Sequence, residues 1–147
     1  LAVKQNFPER IKRINGLLGG NMMTAFQAAG CVGVLSDGPS RDVDEIRAFG
    51  IQYMLTGVTP GHGDFALQAT NVPVTICDMS VQPGEIIHMD ENGAVKFPRE
   101  YLADVVENCK KIIAKEEKMQ EALRRTGGDV EKVKMVFNGI YEFDTES

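Results

Sequence analysis

Hydrophobic positions along the chain change their spacing several times, and each change marks an element. The opening LAVKQNFPERIKR has a short apolar start and a Pro-containing polar stretch, which predicts the end of a strand and a loop. After the pair Gly19-Gly20, Met22, Met23, Phe26 and Ala29 recur at helical spacing, and Gly30 stands where a helix stop belongs. CVGVLS follows as a compact apolar run between turn residues, the pattern of a strand covered on both faces. RDVDEIRAFG restarts a short helix with acids in its first turn and ends at Gly50, and IQYMLTGV supplies the next strand. Helix, strand, helix, strand in that order implies parallel pairing.

Thr59 to Asn71 reads as loop. VPVTICDMSVQPGEIIHMDENGAVKFP then predicts several short strands in an antiparallel or mixed arrangement, with turns at Cys77-Asp78, Pro83-Gly84 and Glu91-Asn92-Gly93. From Arg99 to about Arg125 a long helix carries Leu102, Val105, Val106, Cys109, Ile112, Ile113, Met119 and Leu123 on one stripe. Thr126-Gly127-Gly128 breaks it, and DVEKVKMVFNGIYEF forms a second amphipathic piece. The pattern divides the chain into an α/β domain over residues 1–110 and a C-terminal helical extension over 111–147.

Composition narrows the function classes. At 147 residues, 43% apolar and 25% charged, the chain is of ordinary globular make-up. A net charge of -5 gives no general attraction to nucleic acid or to an anionic membrane, so neither is expected as a partner. No apolar run approaches the roughly 20 residues that span a bilayer, and the start lacks the order of a signal peptide, which makes the cytoplasm the expected location. Cys31, Cys77 and Cys109 are odd in number and far apart, so they are expected as reduced, mostly buried thiols. Leu1 in the place of an initiator Met implies a longer natural protein.

The chemistry concentrates at two places. In GCVGVLSDGPSRD, Arg41 and Asp42 follow a buried strand and open a helix, at the sheet edge where loops and helix N-termini converge on ligands. Asp42 is also a good helix cap, whereas the Arg41 guanidinium offers a two-pronged grip on a carboxylate. GGNM at residues 19–22 opens the other helix, where glycines allow close backbone approach and free amides favour an anion. His62 in a loop and His88 on a strand have no partner at metal-ligand spacing. Lys96 alternates with Val95 and Phe97 on a strand and is expected to face solvent.

GGNMMTAFQAAGCVGVLSDGPSRDVDEI, with NVPV and SVQPGEIIHMDENGAVKFP after it, resembles the RraA-like family, which includes the 4-hydroxy-4-methyl-2-oxoglutarate aldolases. The likeness covers about residues 15–110. It implies a swivelling β/β/α fold, similar to phosphohistidine domains, assembled as a homotrimer or hexamer, with the family's first elements preceding Leu1. It further implies a metal-dependent lyase, of aldolase or oxaloacetate decarboxylase type, that releases pyruvate from a small α-keto acid. By position, Asp42 would hold Mg²⁺ or Mn²⁺, Arg41 would bind the substrate carboxylate, and Gly19, Gly20, Asn21 and Met22 would contact the same keto acid. A non-catalytic protein-binding regulator, like the family's regulators of ribonuclease E, is the alternative.

Overall fold

The computed structural model describes residues 1–143 and divides into two compact units, Leu1–Arg99 and a helical unit from Glu100 onward. The first unit is built on a parallel sheet, β1 (Ala2–Val3), β2 (Gly33–Ser36) and β3 (Gln52–Met54), in the order β1-β2-β3. Ala2 pairs with Leu35, and Leu35 with Met54. Between the strands run α1 (Glu9–Lys12), α2 (Gly20–Ala28) and α3 (Val43–Arg47). Four short strands follow in two antiparallel hairpins, β4 (Val74–Ile76) with β5 (Met79–Val81) and β6 (Ile86–Asp90) with β7 (Gly93–Phe97).

Strand β2 is buried along its whole length, and its period of two assigns one residue to each face. Val34 joins Leu18, Met23 and Ile46 in a cluster supplied by α2 and α3. Leu35 joins Ile76 and Met89 in a second cluster supplied by the hairpins. Helices therefore cover one face of the parallel sheet and hairpins the other, which explains why this strand reads as a continuous apolar run.

The ends of α2 show how local sequence sets the site. Gly30 adopts φ +82°, Cys31 N–H bonds Phe26 O at 2.9 Å, and Gly30 N–H bonds Gln27 O at 2.9 Å. That is the left-handed stop expected of glycine, and it turns the chain directly into β2. The two-residue hairpin turn between β4 and β5 holds Cys77 and Asp78 both at positive φ, 44° and 67°.

Two expectations need correction. The segment before Gly19 contains the four-residue α1, started by Pro8, whose carbonyl accepts both Ile11 and Lys12 amides. The cysteines are not mostly buried: Cys77 sits in its hairpin turn and Cys109 on the long helix, both exposed, and Cys31 is half-buried. All three are free thiols, as expected.

A 3₁₀ turn at Arg99–Tyr101 leads into the second unit, which holds α4 (Leu102–Arg125) and α5 (Val130–Phe137). Its helices pack through Ala122 and Val136, both fully buried, with Thr126 at the break between them. Asp129 caps α5, accepting the Glu131 and Lys132 amides at 2.8 and 3.1 Å, and these bonds hold its carboxyl below the usual range. The division between the units falls at Arg99, and α4 runs unbroken past residue 110. Residues 144–147 of the predicted C-terminal extension fall outside the described residues. No helix among the described residues is long and apolar enough to cross a membrane.

Candidate functional site

Three backbone segments meet at the carboxyl edge of the parallel sheet. Ser40 pairs with Val58 in a parallel bridge, donating its amide to Gly57 O at 3.1 Å and accepting Thr59 N–H at 2.9 Å. On its other side Arg41 N–H bonds Leu18 O at 3.0 Å. The fully buried Ser40 Oγ also contacts Leu18 O and the Tyr53 hydroxyl. Arg41 is thereby fixed between the approach to α2 and the segment after β3. Burial pushes the Tyr53 hydroxyl above its ordinary pKa, against the opposing Ser40 bond, and the negative Asp42 adds to the rise.

Asp42 occupies the cap position of α3 in a left-handed conformation, φ 57° and ψ 30°, which Asp tolerates better than most residues. Its carbonyl accepts the Ile46 amide at 2.9 Å, but its side chain makes no capping bond to its own helix. The carboxylate reaches across instead. Asp42 Oδ2 accepts the Gly20 N–H at 2.9 Å, so it caps α2, a helix 22 residues earlier. A cap role is real, yet it belongs to the neighbouring helix and joins the two sequence stretches singled out above.

The glycines are required by this closeness. A Cβ at Gly19 would stand 2.8 Å from Asp42 Oδ2 and 2.9 Å from Arg41 Nη2, and one at Gly16 would stand 2.9 Å from Arg41 Cγ. The guanidinium and the carboxylate thus both lie directly against the Gly19 backbone. Arg41 Nε is buried and has no hydrogen-bond partner, which leaves a costly orphan donor beside the helix N-terminus. Of the first three amides of α2, only that of Gly20 is bonded; those of Asn21 and Met22 have no partner among the described residues. The Met22 side chain packs against the core cluster, and Asn21 is exposed.

One acid escaped the sequence reading. A Cβ at Gly20 would fall 2.6 Å from Glu45 Oε1, so the Glu45 carboxylate leans over the start of α2 beside that of Asp42. The two acids are three residues apart, one turn of α3, a spacing that places them on the same side of the helix. Among the described residues no group of three or more His, Cys, Asp or Glu is placed to hold a metal. Two carboxylates with open coordination nevertheless suit Mg²⁺, which keeps several waters and binds through one or two protein carboxylates.

A second charged cluster supports the same sheet edge. Asp37, its side chain only 2% exposed, receives Lys4 Nζ and Lys12 Nζ at 2.8 Å each and the Gln5 amide at 2.8 Å. Burial alone would raise its pKa, but the Gln5, Lys12 and Lys4 hydrogen bonds outweigh it and hold the carboxyl below the usual range. The Asp37 hydrogen bond in turn raises Lys12. These residues lie 25 to 33 positions apart, and no local signal joins them.

The remaining candidates are not brought into the site. His88 lies exposed on β6 with Asp90 at 3.5 Å. His62 is exposed in the loop after Val58 and makes no hydrogen bond or ion pair among the described residues. Lys96 is not simply solvent-facing, being two-thirds covered and bonded to Glu85 Oε1 at 2.6 Å across the turn that precedes β6.

Comparison with known proteins places this arrangement. A model of the RraA-like family, described as Aldolase/RraA, matches residues 9–96, more than half of the chain. An uncharacterized protein of Methanocaldococcus jannaschii is 38% identical over 105 residues, which are 71% of this chain and 50% of that protein. A 4-hydroxy-4-methyl-2-oxoglutarate aldolase of Thermus thermophilus is 31% identical over 88 residues, 56% of this chain and 51% of the aldolase. The chain therefore spans about half the length of the curated relatives it matches. Among solved structures, an uncharacterized Pseudomonas syringae protein superposes with a TM-score of 0.71 at 26% identity, over 91% of this chain and 66% of its own. A Streptomyces coelicolor protein, described as an unusual member of the RNase ES inhibitor RraA family, gives 0.62 at 28% identity, over 71% and 54%. With the motif stretches, the mixed helix and strand architecture and the family match all in agreement, the chain belongs to the RraA-like family.

Proposed function

We propose that the chain is a metal-assisted lyase of the aldolase or decarboxylase type, acting on a small α-keto acid and releasing pyruvate. The observation that carries this reading is the buried, partnerless Nε of Arg41, whose guanidinium lies against Gly19 beside the Asp42 carboxylate. Arg41 binds the keto-acid carboxylate through its planar fork, and the free Asn21 and Met22 amides at the positive end of α2 add donors for the same anion. Asp42 and Glu45 are the residues that would hold Mg²⁺ or Mn²⁺. Such a cation, when bound, supplies Lewis-acid polarisation of the keto oxygen. The chain's own contribution is orientation: the backbone bonds of Ser40 and Arg41 to Gly57 and Leu18 fix the point from which the guanidinium reaches the Gly19 backbone, so that the reacting end of the substrate is presented in one pose. Further parts of the same reading are the swivelling β/β/α fold, a homotrimeric or hexameric assembly and a cytoplasmic location.

The relatives support both this reading and the alternative. A Thermus thermophilus relative is named an aldolase, whereas the Streptomyces coelicolor neighbour is described as an unusual member of the RNase ES inhibitor RraA protein family. The alternative is a non-catalytic regulator that binds a protein. Incubating the purified protein with Mg²⁺ and either oxaloacetate or 4-hydroxy-4-methyl-2-oxoglutarate, with pyruvate followed by a coupled assay, separates the two. Pyruvate release that a chelator abolishes, with no borohydride-trapped adduct on Lys96, the lysine through which a metal-independent Schiff-base route would run, supports the lyase. Absence of pyruvate from both substrates, with metal present, sinks it.

A further inference from the structure

Tyr53 brings a hydroxyl to the helix-covered face of the parallel sheet, where packing alone has no use for one. It lies on β3 opposite Val34 of β2 and packs, half-buried, against the cluster of Leu18, Met23, Val34 and Ile46. Phenylalanine would fill that space equally well. The Tyr53 hydroxyl instead meets the Oγ of Ser40, a residue with no exposed surface, whose own hydroxyl must find its partners inside the protein.

The direction of these contacts follows from what each atom can do. The Leu18 carbonyl only accepts, so Ser40 gives its one hydrogen there, and the Tyr53 O–H is the donor to Ser40 Oγ. Leu18 O accepts the Arg41 amide as well, at 3.0 Å, which occupies both of its lone pairs. A chain of hydrogen bonds thus runs from β3 through Ser40 to the peptide just before Gly19, where Arg41 is also tied. Burial is the largest cause of the raised Tyr53 pKa, but the Asp42 charge pushes it further up and the Arg41 charge draws it down, so the hydroxyl lies within the field of both.

We propose that Tyr53 is a positioning residue: through Ser40 and the Leu18 carbonyl it sets the start of α2 against the turn that carries Arg41. The consequence for a ligand rests on the keto-acid reading. Under that reading the carboxylate is held jointly by the Arg41 guanidinium and by the Asn21 and Met22 amides, donors on two segments that meet at Leu18. The acids assigned to the cation, Asp42 and Glu45, both belong to α3, at its cap and in its first turn, and need no such alignment. Loss of the Tyr53 hydroxyl should therefore weaken anion binding and spare the metal, a split that a general loss of packing would not give.

Two measurements on the full chain test the role. In Tyr53→Phe, whose ring still fills the cluster, the Arg41 amide should exchange its hydrogen severalfold faster by NMR, while the Gln52 amide, bonded to Val32 O at 3.1 Å at the start of the same strand, exchanges as in wild type. Unchanged exchange at Arg41 overturns the proposal. By calorimetry the variant should bind Mn²⁺ as wild type does, and should bind pyruvate, added to the metal-loaded protein, about fivefold more weakly, the worth of one neutral hydrogen bond. Ser40→Ala should give the same split, and the double variant should lose no more than either alone, because the two hydroxyls act in series. Losses that add, or an equal fall in Mn²⁺ and pyruvate affinity, would reduce Tyr53 to a core residue and overturn the proposal. A wild-type protein that binds no pyruvate, with the Arg41 amide still responding to Tyr53→Phe, overturns the keto-acid reading instead and leaves the positioning role supported.

Discussion

Asp37→Asn should destabilise the α/β unit more than any other isosteric change at the sheet edge. The native carboxylate is almost completely buried and carries two lysines and a backbone amide, each at 2.8 Å. Asparagine keeps a carbonyl for Gln5 but removes the charge that both ammonium groups face. Stranding a buried partner costs about 3 to 5 kcal/mol in a fully buried pair. Lys4, 41% exposed, can return to water, whereas Lys12, 14% exposed, cannot readily do so. The estimate is therefore about 2 to 4 kcal/mol, which for a unit of this size lowers the melting temperature by roughly 10 to 20 °C. The acid dependence follows from the same contacts. Because folding depresses the Asp37 pKa, its stabilisation is present above the unfolded carboxyl value of about 3.9 and is lost as pH falls through the folded value. Lys12 is raised on folding, so its share persists below about 10.4 and is lost as pH rises beyond its folded value. Thermal and urea unfolding followed by far-ultraviolet circular dichroism at pH 7 and pH 3 measures both. The deficit of the variant relative to wild type should shrink from pH 7 to pH 3, because the acid titration of Asp37 begins to remove the native stabilisation below the unfolded value. A cost under about 0.5 kcal/mol at pH 7, or a deficit equally large at pH 3, would refute the ion-cluster account.

Two further substitutions separate packing from chemistry. Gly20→Ala improves helix propensity by up to about 1 kcal/mol, but its Cβ would sit 2.6 Å from Glu45 Oε1. The exposed Glu45 must then swing away, so stability should hold or rise while Mn²⁺ affinity, read by calorimetry, falls about tenfold or more. Met23→Ala empties a fully buried position between α2, β2 and α3 and should cost about 2 to 5 kcal/mol in urea unfolding without lowering Mn²⁺ affinity in the folded protein.

What could be read from the sequence was local. Gly30 as a helix stop, the doubly covered strand over 33–36 and the Cys77-Asp78 turn each follow from residues within a few positions of one another. The partnership of Gly19-Gly20 with Arg41-Asp42 was legible as two loops at one sheet edge, because parallel strands bring successive helix N-termini to the same side. The bond that joins them was not: an Asp before a helix points by default to its own amides, and only the left-handed turn at Asp42 sends it to Gly20 instead. Glu45 gives no signal for a similar reason, since an acid in a first helical turn already has an electrostatic explanation. The Asp37 cluster gathers Lys4 and Lys12 across a β-strand pairing, a distance over which charge pattern alone says nothing. Cys109 looked like part of a covered stripe, and the stripe is there but uncovered within its own unit.

The central claim is that Arg41 and Asp42 divide the handling of one keto acid, and titration calorimetry on two variants tests it most directly. Asp42→Asn retains a carbonyl oxygen for the Gly20 amide, so its fold should stay within a few tenths of a kcal/mol of wild type. Its Mn²⁺ affinity should fall at least about tenfold, because a neutral amide is a poor ligand for a hard dication. Arg41→Lys keeps the charge and loses the planar fork, so Mn²⁺ should bind as in wild type while pyruvate, added to the metal-loaded protein, binds more weakly. Opposite failures in the two variants are the predicted result; wild-type affinity for both Mn²⁺ and pyruvate in the two would contradict the account and leave Asp42 as a cap on α2 alone.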